Sequence, residues 1–351
     1  NDALNDLVQI AEGVYSPLTG FMTETELMSV LQKMRLPNQI TWTLPILLQL
    51  KKEKIKFKNG DEISLKGEDK KIYGVMHVSD ISKIDLYKIA KLWFGTTDLN
   101  HPGVSKFMNS GEYIIGGDIF LIEKPPQADL AQSLTPKQTR KIFSDFGWQT
   151  IVGFHTRNVI HRGHEYIQKK ALETVYADAL FISPVVGAKK AKDFSGAAII
   201  KAYEIMIQNN FYAPYPAILG TFNTYSRYSG PREAVFTALC RKNFGCSHFV
   251  IGRDHTGVGN FYPPDASQII FSKIKNIGIK PIMLDASYFC SNCKIVTDEC
   301  SHEESLKLSL SGTELRRFIV ARLEIPEYLA RKEIAQMLTE WFNKSPNSLF
   351  Q

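Results

Sequence analysis

The pattern of apolar residues changes character near residue 145. Beyond about residue 146, short apolar runs rich in β-branched residues alternate with longer stretches of helical periodicity. Such alternation predicts a parallel sheet covered by helices on both faces, with ligands bound at the carboxyl ends of its strands. The predicted elements are strand 148–154, helix 164–176, strand 179–185, helix 196–209, strand 216–221, helix 231–245, strand 247–252 and strand 280–284.

The first 145 residues have a different texture, in which short strand-like runs alternate with turn signals. This pattern predicts a compact β-rich barrel. Asn59, Gly60 and Asp61 have the composition of a tight hairpin turn. The predicted strands are residues 41–50, 54–57, 62–65 and 72–78.

The length of 351 residues exceeds that at which a single core stops growing, so more than one domain is expected. We expect a β-rich domain over residues 1–145, an α/β domain over 146–308 and a helical segment over 309–351. Ser311 and Glu314 have capping-box spacing, which predicts a helix start in the last segment.

Composition and charge limit the classes of function. No apolar run approaches the 18 or so residues of a membrane span, and the N-terminus lacks a charged-then-apolar signal, so we expect a cytoplasmic protein without a membrane partner. Whether a leader preceded Asn1 is open. The net charge of +6 is spread along the chain, which suits small polyanionic substrates and does not indicate nucleic-acid binding.

The most informative motif lies where strand 148–154 hands over to the following helix. His161 and His164 are i,i+3 neighbours there, so both rings can point at one ligand, and Gly163 permits a close approach to the backbone. A helix start favours a bound anion through its unpaired N–H groups and the macrodipole. With Arg157 and Asn158, the turn predicts a nucleotide-phosphate site; the alternatives are a pair of surface histidines or a metal pair.

Six segments together resemble the ATP sulfurylase (sulfate adenylyltransferase) family, of prokaryotic type, within the HxGH nucleotidyltransferase superfamily. The resemblance covers nearly the whole chain. The segments are HTRNVIHRGH at 155–164, SRYSGPREA at 226–234, IGRDHTGVG at 251–259, SLSGTELR at 309–316, YSPLTGFM at 15–22 and GTTDLNHPG at 95–103.

The resemblance implies a PUA-like N-terminal domain and a Rossmann-like nucleotidyltransferase domain. It also implies that the protein is a homo-oligomer, specifically a dimer. It further implies that ATP and sulfate give adenylyl sulfate and pyrophosphate, with Mg²⁺ accompanying ATP. Because sulfate is already ionised, such a reaction needs two anions to be aligned and their repulsion neutralised, and it needs no nucleophilic side chain.

The family's functional residues map onto this chain position by position. Catalysis is carried over to Thr156, Arg157, Asn158, His161, His164 and Arg253, and sulfate binding to His155, Arg157 and Thr256. Nucleotide binding is carried over to His155, Asn158, His161, Gly163, His164, Gly252, Arg253, Asp254, His255 and Arg316. For Arg316 a purely structural role in its helix is an equal alternative, and Arg227 and Arg232 have weaker claims.

Three positions depart from the family pattern. His155 stands where the family has Gln, Thr256 where it has Ala, and Ser226 where it has Met. All three lie beside the expected oxyanion pocket, so anion affinity and identity are open. Rival interpretations are an adenylyltransferase for another oxyanion and a non-catalytic regulatory homologue, although the retained Arg157 and Asn158 argue against the latter.

Three of the five cysteines crowd into residues 290–302, together with a histidine. CxxC spacing with a third Cys and a nearby His predicts a zinc knuckle, with a redox pair or unliganded thiols as alternatives. Prokaryotic ATP sulfurylases often carry structural Zn²⁺ here, although their fourth ligand usually lies farther on, near Glu304 in this chain. The predicted ligands are Cys290, Cys293, Cys300 and His302.

Overall fold

The computed structural model describes residues 2–126, 132–187, 192–253 and 255–351. Contacts divide the chain into two units. The first comprises Asn1–Ile142, Ser226–Gly245 and Asp254–Pro281, and the second comprises Phe143–Tyr225, Cys246–Arg253 and Ile282–Gln351. Two segments that the sequence analysis placed with the α/β domain, residues 226–245 and 254–281, therefore group with the N-terminal region.

Twelve helices and fourteen strands lie within the described residues. The helices are α1 (Asp2–Ala11), α2 (Glu24–Lys33), α3 (Leu86–Phe94), α4 (Pro102–Asn109), α5 (Pro136–Asp145), α6 (Arg162–Thr174), α7 (Gly196–Gln208), α8 (Pro231–Phe244), α9 (Ala266–Lys273), α10 (Gly312–Val320), α11 (Lys332–Lys344) and α12 (Pro346–Leu349). The strands are β1 (Gly20–Phe21), β2 (Leu48–Leu50), β3 (Glu62–Lys66), β4 (Ile72–His77), β5 (Asp80–Lys83), β6 (Tyr113–Leu121), β7 (Ile151–Thr156), β8 (Ala179–Pro184), β9 (Ala217–Leu219), β10 (His248–Gly252), β11 (Lys280–Leu284), β12 (Tyr288–Cys290), β13 (Ile295–Thr297) and β14 (Lys307–Ser309).

The first unit is built on a six-stranded antiparallel sheet centred on β6. This strand pairs with β1, β2, β4 and β5, and β3 pairs with β4. Its crowded middle requires glycine: Gly117 has φ +148°, and a Cβ there would lie 2.0 Å from the carbonyl oxygen of His77. Four helices, α1 to α4, also belong to this β-rich region, and the apolar pattern did not predict them.

Two of the predicted N-terminal strands need correction. Only Leu48–Leu50 of the predicted strand 41–50 is in the sheet, and residues 54–57 form no strand. The turn at Gly60 is present, but its N–H donates to the carbonyl of Val78 and the Lys58 N–H donates to Asp61. The turn therefore connects no pair of strands, and β3 instead forms its hairpin with β4.

Buried arginines hold the returning segment 226–245 in the first unit. Arg227 is ion-paired with Asp6, and its guanidinium lies over the Tyr15 and Phe236 rings, 5.6 and 5.2 Å from their centroids. Arg232 donates to the carbonyls of Val30 and Leu31 near the end of α2, at 3.2 and 2.6 Å. Arg232 thus satisfies carbonyls at the C-terminus of α2.

The second unit contains a parallel sheet of order β11-β10-β7-β8-β9, whose last strand in sequence begins in the first unit. The predicted α/β alternation is confirmed, with shifts at the ends. Strand β7 begins three residues later than predicted, because the N–H groups of Gln149 and Thr150 both donate to the Asp178 carboxylate at 2.8 Å. Helix α6 begins two residues earlier, because His161 is its N-cap.

Beyond the parallel sheet lie a small antiparallel sheet of order β13-β12-β14 and the helices α10 to α12. Helix α10 begins where capping-box spacing predicted, and the Ser311 side chain accepts from the N–H of Glu314 at 3.2 Å. Among the described residues, no helix combines the length and apolar character that crossing a bilayer requires.

Candidate active site

The order of the parallel sheet marks one crevice as the place for a ligand. The chain runs outward from β7 through β8 to β9 and then returns to the other side of β7 with β10. Ligands of open α/β sheets bind at such a reversal, outside the carboxyl ends of the strands. Val152 is registered with His248 and Gly153 with Phe249, and extending this register places Gly252 beside Thr156.

The two motif histidines lie at the start of α6, directly after this edge. Their rings stack with centroids 3.8 Å apart and planes inclined by 22°. His161 Nδ1 accepts a hydrogen bond from the backbone N–H of His164 at 3.3 Å. Because Nδ1 accepts, the proton of neutral His161 is on Nε2, which leaves that nitrogen as its donor.

Both rings are neutral near pH 7. Burial lowers the pKa of His161 well below its usual range, with the adjacent His164 as a second cause. Burial also lowers the pKa of His164 to about 4. Among the described residues, the buried Nδ1 of His164 has no hydrogen-bond partner. The pair therefore offers oriented N–H dipoles to an anion without carrying a permanent charge.

The turn between β7 and α6 is closed by a local hydrogen bond. The N–H of Asn158 donates to Thr156 Oγ1 at 3.1 Å, and that hydroxyl lies 3.3 Å from the Asn158 carbonyl. Thr156 is buried, whereas His155, Arg157 and Asn158 are partly exposed. Four of the predicted site residues thus lie on one short ordered turn.

A second helix N-terminus meets this turn. A Cβ built on Gly312, the first residue of α10, would lie 2.8 Å from Asn158 Oδ1 and 2.9 Å from its Cγ. The approach requires glycine, and it brings the positive end of α10 to the same turn as that of α6. The N-terminus of α10 therefore lies against the turn that carries Asn158.

Gly163 has a different structural reason from the predicted one. The direction in which its Cβ would point is filled by protein atoms: Ser287 Oγ at 3.0 Å, and His161 Nδ1 and Leu310 Cβ at 3.1 Å. The absence of a side chain thus allows α6 to pack against these neighbours. Its predicted role in nucleotide binding remains a prediction for its backbone alone.

Arg316 is held by the protein in this structure. Its guanidinium donates to Asp193 at 3.3 Å and to Thr313 Oγ1 at 3.1 Å, and lies over the Phe194 ring. These contacts support the structural role of Arg316, which the sequence analysis gave as the alternative to nucleotide binding.

The GRDH segment, residues 252–255, is divided between the two units. Gly252 ends β10, and a Cβ there would meet no atom within 4 Å, so the backbone is open to a ligand. Arg253 follows and is exposed. Asp254 lies outside the described residues, and His255 and Thr256 belong to the first unit.

Thr256 has an unusual backbone within the first unit. Its φ of +58° is disfavoured for a β-branched residue. Its hydroxyl contacts the carbonyl oxygens of Gly230 at 2.8 Å and His255 at 2.6 Å. A hydroxyl has one hydrogen to donate, and here a backbone carbonyl accepts it. The donor that Thr256 has and the family's Ala lacks is therefore already used within the protein.

Cys290, Cys293, Cys300 and His302 form a group that could hold a metal ion. Their ligand atoms all lie within 4.8 Å of one another, and five of the six separations between them run from 2.9 to 3.6 Å. Tetrahedral zinc with sulfur at about 2.3 Å and nitrogen at about 2.0 Å requires edges of roughly 3.5 to 3.8 Å. The shortest separation, 2.9 Å between Cys300 Sγ and His302 Nδ1, is about 0.6 Å below this range, so the four residues fit such an ion after small side-chain shifts. Glu304 is instead paired with Lys307.

The other ring nitrogen of His302 also has a polar neighbour. His302 approaches the group with Nδ1, and its Nε2 lies 2.7 Å from the side-chain amide of Asn292. The cysteines are free thiols, and the sulfur separations of 3.6 Å exclude a disulfide in this state.

Sequence reasoning missed a buried acid one residue after the second histidine. Glu165 accepts from Arg331 at 2.6 and 2.9 Å and from Arg162 at 2.7 Å, and Lys169 lies 3.1 Å away. Burial alone would raise the pKa of Glu165, but the bonds from Arg331 and the charge of Arg162 hold it below its usual range. Arg331 is 166 positions away in sequence, so no local signal could have indicated this pair.

A cleft of about 960 Å³ lies between α6, the small antiparallel sheet and residues 327–331. Its lining includes Lys170, Phe289, Glu299 and Tyr328. None of the predicted site residues lines it.

Comparison with known proteins agrees with the motif. A family model described as ATP-sulfurylase matches residues 131–341, and one described as PUA-like domain matches residues 1–124. A sulfate adenylyltransferase of Pyrococcus abyssi is 42% identical over 96% of this chain and 88% of that protein. One from Staphylothermus marinus is 41% identical over the same shares of the two chains.

Among solved structures, a hexameric APS kinase from Thiobacillus denitrificans superposes with a TM-score of 0.74. The two chains are 21% identical, and the match covers 99% of this chain and 62% of that one. This likeness concerns the fold, and the present chain spans about three fifths of that structure's length.

Proposed function

The chain belongs to the ATP-sulfurylase family, and we propose that it is a sulfate adenylyltransferase, which converts ATP and sulfate into adenylyl sulfate and pyrophosphate. The observation that carries the proposal is the stacked pair of neutral histidines at the N-terminus of α6, beside the point where the sheet order reverses. ATP is taken as its magnesium complex, which makes the ion part of the substrate.

In the proposed reaction a sulfate oxygen forms a bond to the α-phosphorus of ATP. The bond from that phosphorus to the bridging oxygen of the β,γ-phosphates breaks, and pyrophosphate leaves with the electron pair. No proton is transferred from sulfate, so the site needs no general base. Its work is to align two anions and to place donors where charge develops.

His161 and His164 are assigned to the charge that develops on the phosphoryl oxygens. Neutral imidazoles suit this role because their N–H groups are oriented by the start of α6 and need no reorganisation during the reaction. The unpartnered Nδ1 of His164 supports the assignment, since a buried polar atom without a partner costs free energy until a ligand arrives.

The residues of the β7–α6 turn are assigned to the two anions. Arg157 binds sulfate as a two-pronged donor, assisted by His155, while Thr156 and Asn158 position the phosphates. The contact of Asn158 with the start of α10 supports its assignment, because it fixes the amide between two helix N-termini. The backbone of Gly163 completes this side.

The GRDH segment and α10 are assigned to the nucleotide. Gly252 and Arg253 are assigned to it at the end of β10, and the resemblance alone adds Asp254 and His255. The Thr256 backbone is assigned to sulfate. Arg316 would have to leave Asp193 to reach a phosphate, so its assignment is the weakest of the set.

We assign Zn²⁺ to Cys290, Cys293, Cys300 and His302, on the basis of their donor types and spacing. Bound zinc would supply folding free energy to a sheet whose three strands have three residues each. Free thiols and the use of ATP support a cytoplasmic location. The homodimer remains a prediction from the resemblance, to be tested by sedimentation.

An anion panel tests the function. Pyrophosphate release from magnesium ATP is measured with sulfate, selenate, molybdate, phosphate or no anion. We expect release with sulfate and none without an anion. Release with another oxyanion but not with sulfate would assign the chain to a different substrate, and the absence of release with every anion would favour the non-catalytic alternative.

A further inference from the structure

One carboxylate joins the metal group to the helix that carries the histidines. Asp298 Oδ1 accepts from Tyr166 Oη at 2.7 Å and from Lys170 Nζ at 2.8 Å, and Oδ2 accepts from the same ammonium at 2.6 Å. Tyr166 and Lys170 are four residues apart on α6 and therefore share one face. Asp298 thus grips two successive turns of the helix.

Burial separates this contact from its neighbour. Lys170 also pairs with Glu299 at 2.9 Å, but the Glu299 side chain is 82% exposed whereas that of Asp298 is 7% exposed. An exposed ion pair contributes little, whereas removal of one partner from a buried pair leaves an uncompensated charge. Glu299 therefore provides a matched control for Asp298, on the same lysine and one position along the chain.

Asp298 lies next to the metal group in the chain. It stands between the end of β13 and Cys300, two residues from a ligand of the group. The three strands of this sheet have three residues each, which is the lower end of the usual strand length. Fixing Cys300 on a metal therefore fixes the carboxylate that reaches α6.

The grip lies close to the histidines. Tyr166 follows His164 by two residues, which is about 3 Å along the helix axis. On another side of the same turn, Glu165 is held by Arg331. The start of α6 is therefore held from two directions, by the metal group through Asp298 and by the segment before α11 through Arg331.

We propose that Asp298 is a positioning residue that couples metal binding in the Cys290–His302 group to the placement of His161 and His164. The proposal rests on the proposed function for its kinetic consequence alone. Since a misplacement of about 1 Å can cost 100-fold in rate, a partial release of α6 should lower kcat by roughly 3- to 10-fold. ATP binding should change less, because the GRDH segment is untouched.

The test compares Asp298→Asn, Lys170→Met and Tyr166→Phe with the control Glu299→Gln, each with its metal content measured. Amide hydrogen exchange is followed over residues 162–170 with metal bound and after chelation. In the wild type, chelation should accelerate this exchange. In the three grip variants the exchange should be fast with metal bound, and chelation should change it little; Glu299→Gln should behave as the wild type.

Kinetics supply the second readout. The grip variants should retain the metal, lose about 3- to 10-fold in kcat and keep the KM for ATP within about twofold. Lys170→Met and Tyr166→Phe lie outside the metal group, so they decide the matter if Asp298→Asn fails to fold. Wild-type exchange over 162–170 in these variants, or in chelated wild type, would overturn the coupling. An inactive wild type would refute the proposed function, while the exchange data would still test the coupling.

Discussion

The contact between Gly312 and Asn158 can be broken by one methyl group. In Gly312→Ala the new Cβ would lie 2.8 Å from Asn158 Oδ1, about 0.6 Å inside ordinary van der Waals contact. The amide lies at the end of a rotatable side chain, so it can move aside at a cost of roughly 0.5–1.5 kcal/mol. Alanine is also a better helix former than glycine, so the free energy of unfolding should change by less than about 1 kcal/mol.

Gly312→Ala should instead lower kcat. A displacement of about half an ångström in a group that positions phosphates should lower kcat by about tenfold, which corresponds to about 1.4 kcal/mol in the activation free energy. The assay is sulfate-dependent pyrophosphate release at saturating ATP, together with thermal unfolding. The same substitution in an Asn158→Ala background supplies the control, because the proposed clash is then absent.

The two effects should therefore be non-additive: Gly312→Ala should cost about tenfold in the wild type and less than about twofold beside Asn158→Ala. Equal losses in both backgrounds would show that Gly312 acts otherwise than through Asn158. Wild-type kcat in the single variant would show that the meeting of α10 with the turn is irrelevant to turnover.

Three further predictions concern pH, metal and the anion. In the unfolded chain His164 takes up its proton near pH 6.5, but in the folded protein only near pH 4. The free energy of unfolding should therefore decrease by on the order of 3 kcal/mol as the pH is lowered from 6.5 to 4. Denaturant titrations should show a smaller decrease in His164→Gln. Elemental analysis should find about one zinc per chain, lost together with thermal stability in the Cys290→Ser/Cys293→Ser double variant; zinc-free protein purified without chelator would contradict this. If His155 contacts the anion, the KM for sulfate should decrease as the pH is lowered from about 8 to about 6, because a protonated ring attracts a dianion more strongly. His155→Gln should flatten this pH dependence while activity is retained; the same pH dependence in His155→Gln would show that the ring has no role at the anion.

Sequence reasoning succeeded where the signal was local. Strand β11 was predicted at its observed bounds because an isolated apolar run has few alternatives. Helix α8 was predicted to within one residue because Pro231 and Gly245 mark its two ends chemically. The cysteine spacing likewise brought the metal group into view, since its four members lie within thirteen residues.

The features that were not predicted from the sequence depend on contacts between distant parts of the chain. The pairing of Arg227 with Asp6 draws residues 226–245 into the first unit, across 221 positions. The grip of Asp298 on α6 spans 128 positions at Lys170. Even the start of α6 was misplaced, because a histidine is an uncommon N-cap and its capping bond to His164 is visible only in three dimensions.

The direct test of the central claim is the transfer of labelled sulfate. The protein is incubated with magnesium ATP, radiolabelled sulfate and pyrophosphatase, and labelled adenylyl sulfate is separated and counted for the wild type and for His164→Ala. Since pyrophosphatase splits each released pyrophosphate into two phosphates, we predict one adenylyl sulfate per two phosphates formed in the wild type. In His164→Ala we predict a loss of about 100-fold or more, with the dissociation constant for ATP within about threefold. Absence of labelled product in the wild type, or undiminished product in His164→Ala, would contradict the account.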